Sequence, residues 1–169
     1  MNKMIAVTGT IGLNLVYLTV LLVGSPLILW VAWRHGKYRE GWAEKLLGRV
    51  PYRNEETPCL WFHAVSVGEV NLLRTVIPEV QREFPGWSVV VSTTTKTGHD
   101  LARRQHADLL TFYCPLDFSR AVRRAMRRIR PTALVLTELE LWPNLIYAAK
   151  KHDAKVLLIN GRKIGRAHV

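Results

Sequence analysis

Cysteine is scarce in this 169-residue chain, which contains only Cys59 and Cys114. The two residues lie far apart, without CxxC or Cys/His spacing, so the pattern predicts neither a disulfide framework nor a zinc site. The chain also lacks a GxGxxG sequence and a P-loop, the two common glycine-rich loops of nucleotide-binding proteins. Free cysteines of this kind are typical of a reducing compartment and favour the cytosol.

Acidic residues are also few, with 13 Asp and Glu against 24 Lys and Arg, which gives a formal net charge of +11. This excess predicts an anionic partner: nucleic acid, a phospholipid surface or a phosphorylated substrate. Composition alone does not choose among the three. Hydrophobic residues make up 49% of the chain, which is enough for the core of one domain and argues against a largely disordered chain.

Charged side chains are absent from residue 4 to residue 33, and the stretch from Ile11 to Trp33 is rich in Leu, Val and Ile. A run of this length can cross a hydrocarbon core, which needs about 20 apolar residues. It is too long, and too poor in early positive charge, for a signal peptide. Residues 1–36 are therefore predicted to be a membrane anchor, and the Gly-Ser-Pro break at 24–26 leaves both a spanning and an interfacial placement open.

Basic residues follow the apolar run at once, namely Arg34, His35, Lys37 and Arg39. By the positive-inside rule, they place the rest of the chain on the cytoplasmic side of a membrane. Residues 37–58 are then predicted to form an amphipathic stretch followed by a linker.

Short β-branched or aromatic runs alternate with helical patterns in the remainder of the chain. This alternation is typical of βαβ units and predicts an α/β fold with a parallel, doubly wound sheet over residues 59–162. In such a sheet the functional groups lie in the loops at the carboxyl ends of the strands. The predicted strands are 60–65, 88–92, 109–113, 133–137 and 155–159, and the predicted helices are 68–84, 98–105, 118–129 and 143–152.

The first predicted strand leads into the sequence HAVSVGE, at residues 63–69. A small-residue turn that opens a helix offers free N–H groups and a positive dipole end to an anion, so Ser66 and Gly68 are candidate substrate contacts. Ser66 and Glu69 are three residues apart, which also fits a capping box with a purely structural role. The functional alternative is that Glu69 is a general base for a substrate hydroxyl.

Two further strand ends carry polar residues. After the second strand, the sequence STTTKTG offers Thr95 and Thr97 as candidate contacts to sugar or phosphate oxygens, although turns and N-caps produce the same cluster. The fourth strand ends in ELELWPN. Its Glu138 and Glu140 are two residues apart and therefore share one side of an extended segment, where they are candidates for substrate binding. A helix-entry motif with solvated or ion-paired carboxylates is the alternative.

The third predicted helix carries five arginines on one stripe, at positions i, i+3, i+4, i+7 and i+8, with no acidic residue between them. A solvated face is the ordinary explanation of a charge run, but this density favours contact with anionic lipid headgroups or phosphates. Nucleic acid is not predicted, since no recognised binding motif or aromatic platform accompanies the stripe. The residues are Arg120, Arg123, Arg124, Arg127 and Arg128.

Four segments, in this order and spacing, resemble the bacterial 3-deoxy-D-manno-octulosonic acid (Kdo) transferase family: HAVSVGE, STTTKTGHDLA, the Pro-Leu-Asp step at 115–117 and ELELWPNL. The N-terminal anchor and the stretch from Tyr38 to Gly48 share the resemblance, which extends over nearly the whole chain up to Arg162. It implies the Rossmann-like N-terminal domain of a GT-B glycosyltransferase, a fold in which two such domains enclose the active site.

The resemblance also implies an activity: inverting transfer of Kdo from CMP-Kdo to a lipid A precursor, lipid IVA, in lipopolysaccharide biosynthesis. The implied location is the cytoplasmic face of the inner membrane, and no metal or cofactor is implied. Glu69 matches the family's proposed base, and Glu138 and Glu140 match its second acidic motif. Because the first domain mainly receives the acceptor and the second mainly binds the donor, the fragment alone is expected to be inactive.

Two other functions fit the same sequence. One is that of another membrane-associated GT-B glycosyltransferase with a lipid acceptor, and the other is that of a non-catalytic module that binds anionic lipid through its arginines. Residues 163–169 lack periodicity and break the expected continuation of the domain, and they match what a common sequencing adapter encodes in one frame. We therefore expect this tail not to be native.

Overall fold

The computed structural model describes residues 11–20, 22–25, 40–138 and 142–160. The predictions that fall on Glu140, on the tail and on the four basic residues after the apolar run lie outside these ranges. We label the helical residues 11–20 and 22–25 as α1. The other elements are α2 (Trp42–Leu47), β1 (Cys59–His63), α3 (Val67–Glu83), β2 (Ser88–Thr93), α4 (Lys96–Gln105), β3 (Leu110–Tyr113), α5 (Ser119–Ile129), β4 (Ala133–Leu136), α6 (Pro143–Lys151) and β5 (Lys155–Leu158).

The strands form one five-stranded sheet in the order β3-β2-β1-β4-β5, and every neighbouring pair is parallel. The α/β order predicted from the alternation is confirmed, and each predicted strand or helix ends within two residues of the observed one. The chain builds outward from β1 to β3 on one side, then returns to place β4 on the other side of β1. The arrangement fits a Rossmann-like domain, with its topological switch point between β1 and β4.

Helices cover both faces of the sheet, so the central strand β1 is buried along its whole length. Successive side chains of a strand point to opposite faces. Accordingly, Leu60 and Phe62 pack with Leu73 of α3 in one apolar cluster. Trp61 packs with Met126 of α5 in the other cluster. The two clusters hold β1 from both sides and fix where its carboxyl end emerges.

The segment between α2 and β1 is held against the domain by close backbone contacts. Gly48 ends α2 with a φ of +62°, and a Cβ at this position would lie 2.0 Å from the carbonyl oxygen of Ala121, so only glycine fits. Further on, the buried Arg53 donates from Nε to the carbonyl of Ile129 at 2.8 Å and from Nη1 to that of Thr57 at 2.9 Å. The predicted linker therefore follows a fixed path.

Helix α1 contacts the domain through polar side chains. Asn14 Nδ2 donates to Ser119 Oγ at 2.8 Å, and the Tyr17 hydroxyl donates to Asp117 Oδ2 at 3.0 Å. Much of the remaining helix surface is apolar and exposed, with Val23 at 76%. Among the described residues, no helix has both the length and the apolar character needed to cross a membrane. The membrane anchor at 1–36 stays a prediction.

Candidate active site

The loop after β1 and the loop after β4 lie side by side at the switch point, where doubly wound sheets bind their ligands. Glu69, in the first turn of α3, reaches across from the first loop towards the second. Thr137 directly follows β4 and donates from Oγ1 to Glu69 Oε2 at 2.6 Å. The structure thus places the predicted general base at the switch point and joins it to a residue that the sequence reading missed.

The two carboxylate oxygens of Glu69 have different environments. The residue is only 5% exposed. Oε2 accepts from the Val65 amide at 2.7 Å and from Thr137 Oγ1 at 2.6 Å. Within the part of the chain that the structure describes, Oε1 accepts only from Ser66 Oγ, at 3.1 Å. Among these residues, Oε2 is therefore held by two short bonds, and Oε1 by one longer bond from a half-buried hydroxyl.

The contact between Ser66 and Glu69 is not a capping box. In that motif the N-cap side chain accepts from the N3 amide, and the N3 carboxylate accepts from the N-cap amide. Ser66 occupies the N-cap without a side-chain cap bond and donates to Glu69 instead. The carboxylate takes the amide of Val65, one residue earlier. Helix capping alone does not explain why this carboxylate is buried against Thr137.

His63 ends β1 close to this carboxylate, and its ring is buried. Burial lowers the pKa of His63 to about 4, although the negative charge of Glu69 opposes the shift. The imidazole is therefore neutral at neutral pH. Its Nδ1 lies 3.0 Å from Ser92 Oγ, which also accepts from Trp61 Nε1 at 2.7 Å. The ring meets Trp142 edge to face, with the centroids 5.9 Å apart.

The loop after β2 supports the loop after β1. Thr95 is the N-cap of α4, where its Oγ1 accepts from the Gly98 amide at 3.1 Å and donates to the Val65 carbonyl at 3.2 Å. A Cβ at Gly98 would lie 2.9 Å from Thr95 Oγ1, so glycine permits this close approach. The predicted contact Thr95 is thus part of the frame of the site. Thr97 is exposed at the start of the same helix.

The predicted contacts Gly68 and Glu138 lie at the same edge of the sheet. Gly68 is exposed in the first turn of α3, and a Cβ there would meet nothing closer than Ser66 Oγ at 4.0 Å. The first amides of a helix have no acceptor within it, so this turn retains donors that suit an anion. Glu138 follows Thr137 and is exposed. Together these residues give an open polar rim beside the buried carboxylate.

Asp117 holds the loop after β4 in place by binding the start of α6. The sequence did not predict this role. Its Oδ2 accepts from the Asn144 amide at 3.0 Å, and its Oδ1 accepts from the Leu145 amide at 2.8 Å. Burial raises the pKa of Asp117, while these bonds and that from Tyr17 oppose the rise. One signal in the sequence could have indicated it. Trp142, the N-cap of α6, has no side-chain oxygen that could accept from the first amides of the helix, so a more distant acceptor was to be expected.

Two arginines of the α5 stripe have structural partners. Arg124 donates from Nη1 to the Leu47 carbonyl at 3.0 Å, and Arg128 donates from Nε to the Val50 carbonyl at 2.5 Å. Both side chains are half-buried. They fasten the segment after α2 to α5, so the stripe predicted as one charged surface has two parts.

The other three arginines, Arg120, Arg123 and Arg127, are exposed. With Lys151 and His152 of the neighbouring α6 end, they line a groove of about 660 Å³. No ion pair found among the described residues involves these arginines. Arg120 also borders an apolar recess between α1 and α5, which makes the basic surface continuous with the exposed apolar side of α1.

In the described ranges, no group of three or more His, Cys, Asp or Glu could hold a metal ion.

Comparison with known proteins adds a family context. A family model described as 3-Deoxy-D-manno-octulosonic-acid transferase (kdotransferase) matches residues 40–167. The 3-deoxy-D-manno-octulosonic acid transferase of Chlamydia trachomatis serovar D is 34% identical over 142 residues, which are 83% of this chain and 33% of the relative. That of Haemophilus influenzae is 29% identical over 159 residues, 89% of this chain and 36% of the relative. The probable mitochondrial 3-deoxy-D-manno-octulosonic acid transferase of Arabidopsis thaliana is 32% identical over 143 residues, which are 82% of this chain and 32% of the relative. The chain spans about a third of the length of these relatives.

Proposed function

Because this chain belongs to the 3-deoxy-D-manno-octulosonic-acid (Kdo) transferase family, we propose that it is the acceptor-binding part of a glycosyltransferase of lipopolysaccharide biosynthesis. The proposed donor is CMP-Kdo and the proposed acceptor is a lipid A precursor, lipid IVA. One observation carries the proposal: a buried, hydrogen-bonded carboxylate, that of Glu69, lies at the switch point of the sheet. The chain spans about a third of the length of these relatives, and we assign donor binding mainly to the second domain of the GT-B fold.

In this proposal Glu69 is the general base. Its carboxylate takes the proton of an acceptor hydroxyl while the hydroxyl oxygen bonds to the anomeric carbon of Kdo. The bond from that carbon to the phosphate of CMP breaks, and CMP leaves with the electron pair, so the configuration inverts. Two donors to Glu69, the Val65 amide and the Thr137 hydroxyl, belong to the folded domain, which supports a base that is oriented before the substrate arrives.

We assign the polar rim to the acceptor. The amides of the turn at Ser66 and Gly68 suit a phosphate of the acceptor, because a helix start favours negative charge. Glu138 and Glu140 suit sugar hydroxyls, to which ionised carboxylates are strong acceptors. Thr97 lies exposed at the same edge and is assigned to the same surface, whereas Thr95 acts through the turn that it holds.

We further propose that the exposed arginines rest on the anionic headgroups of the inner membrane. A lipid acceptor must be reached at a membrane surface, and the exposed apolar side of α1 adjoins Arg120. An apolar helix face next to basic side chains is the pattern of an interfacial contact. Arg124 and Arg128 were part of the predicted stripe. We assign them mainly to the fold, because their side chains donate to backbone carbonyls.

Replacing Arg120, Arg123 and Arg127 with Gln is expected to weaken binding to vesicles of phosphatidylglycerol and phosphatidylcholine about 100-fold. Each basic residue at an anionic surface contributes about 1 kcal/mol, and three such contributions are about 3 kcal/mol, or roughly two decades. Cosedimentation at low and high salt measures the effect. The matched control removes the same charge from exposed arginines of α3 and α4 on the other face of the sheet, Arg74, Arg103 and Arg104. Equal losses in both triple variants would argue against a defined lipid-binding surface.

The proposed reaction is tested on the complete gene product, with whatever coding sequence adjoins these residues. Purified protein is incubated with CMP-Kdo and lipid IVA, and the lipid is analysed by mass spectrometry for added Kdo. We expect Kdo transfer that stops when either substrate is omitted. Transfer from a different nucleotide sugar to a lipid would favour the other GT-B function, and vesicle binding without any transfer would favour the binding module.

A further inference from the structure

Thr137 lies at the first position after β4, and only 1% of its surface is exposed. Its hydroxyl has two acceptors within reach: Glu69 Oε2 at 2.6 Å and the carbonyl oxygen of His63 at 2.8 Å. A hydroxyl has a single hydrogen and can make only one of these bonds at full strength. Which acceptor receives it decides whether Thr137 belongs to the fold or to the site.

The carboxylate is the better acceptor for this hydrogen. A bond to an ionised group is roughly twice as strong as one between neutral groups, and it is also the shorter of the two here. The His63 carbonyl, moreover, already accepts the backbone amide of Thr137, at 3.2 Å. We infer that the Thr137 hydroxyl donates to Glu69 Oε2, while the Thr137 amide donates to the His63 carbonyl.

Together with the amide of the half-buried Val65, the buried Thr137 then occupies Oε2 with two donors. Among the described residues, Oε1 accepts only the longer bond from Ser66, whose hydroxyl is half-buried and can rotate away. We propose that Thr137 is a positioning residue that fixes Oε2 and thereby presents Oε1 as the oxygen that takes the acceptor proton. This inference rests on the proposed function, and it names the reacting atom of the proposed base.

Thr137→Val keeps the shape of the side chain and removes the hydroxyl. We expect kcat for Kdo transfer to fall about 10- to 100-fold, the range of one hydrogen bond to a charged group, with KM for the lipid acceptor changed less than about threefold. Thr137→Ser, which keeps the hydroxyl, should keep kcat near the wild-type value.

The matched control is Thr132→Val, which removes a hydroxyl at the other end of β4. Thr132 Oγ1 accepts the Cys59 amide at 3.1 Å, so its loss should lower stability but leave kcat unchanged. Should Thr137→Val fail to fold, Thr137→Ala is compared with Thr137→Ser. An inactive Glu69→Gln together with an unchanged kcat for Thr137→Val overturns the role of Thr137 alone. A fully active Glu69→Gln overturns the proposed base and this inference with it.

Discussion

Glu69→Gln is expected to lower kcat for Kdo transfer about 100- to 10,000-fold, which is the usual contribution of a general base. Glutamine has the shape of glutamate and still offers one oxygen to the Val65 amide and the Thr137 hydroxyl, so the loop geometry is expected to persist. The amide cannot take a proton from the acceptor hydroxyl. Because the buried frame is retained, the loss should be in kcat, with KM for the lipid acceptor changed only a few fold.

Steady-state kinetics of the complete gene product, at saturating CMP-Kdo and varied lipid IVA, measure this effect. The control is Glu83→Gln, which makes the same change at the exposed end of the same helix and should leave both constants unchanged. Circular dichroism spectra and melting temperatures establish that both variants are folded. If Glu69→Gln retains full activity, its carboxylate only organises the start of α3.

Asp117→Ala is expected to lower the free energy of unfolding by about 3 kcal/mol. The substitution leaves two buried amides at the start of α6, those of Asn144 and Leu145, without their acceptor. A hydrogen bond to a charged group contributes about 1.5–3 kcal/mol, and the two share one carboxylate, so their losses are not independent. Tyr17 of α1 loses its partner as well, which should loosen α1 from the domain.

Urea unfolding monitored by tryptophan fluorescence measures the change in stability. Asp117→Asn keeps one acceptor oxygen, so we expect it to lose about half as much as Asp117→Ala. The control is Asp108→Ala at an exposed turn, where a surface substitution should stay within about 0.5 kcal/mol of the wild type. A loss for Asp117→Ala as small as that of this control would contradict the capping role.

The sequence predicted the elements of this fold well because each is encoded locally. Apolar residues at helical and strand spacing mark α3 and β2 without knowledge of their neighbours. Glu69 was found by the same means, since it lies three residues from Ser66 at a strand end. Its decisive neighbour Thr137 is 68 residues away. No local pattern joins the two, because they meet only through the crossover that places β4 beside β1.

The arginine stripe also depends on contacts between residues that are far apart in the chain. Helix geometry places all five arginines on one surface, and the structure agrees with that placement. What separates Arg124 and Arg128 from the rest is that carbonyl groups 77 and 78 residues earlier in the chain lie within their reach. Charge patterning identifies the helix face, but the path of the preceding segment decides which of its charges remain available to a partner.

The polar partners of α1 also bear on the order in which the protein is made. Tyr17 bonds to a residue 100 positions further along the chain, and Asn14 to one 105 positions further along. At about 5–20 residues per second, ribosomal synthesis needs roughly 5–20 s to cover this separation. During that interval α1 exists without Asp117 and Ser119, so Asn14 and Tyr17 lack these two partners. Helix α1 is therefore made first, but it reaches its place on the domain only after β3 and the start of α5 have been synthesised.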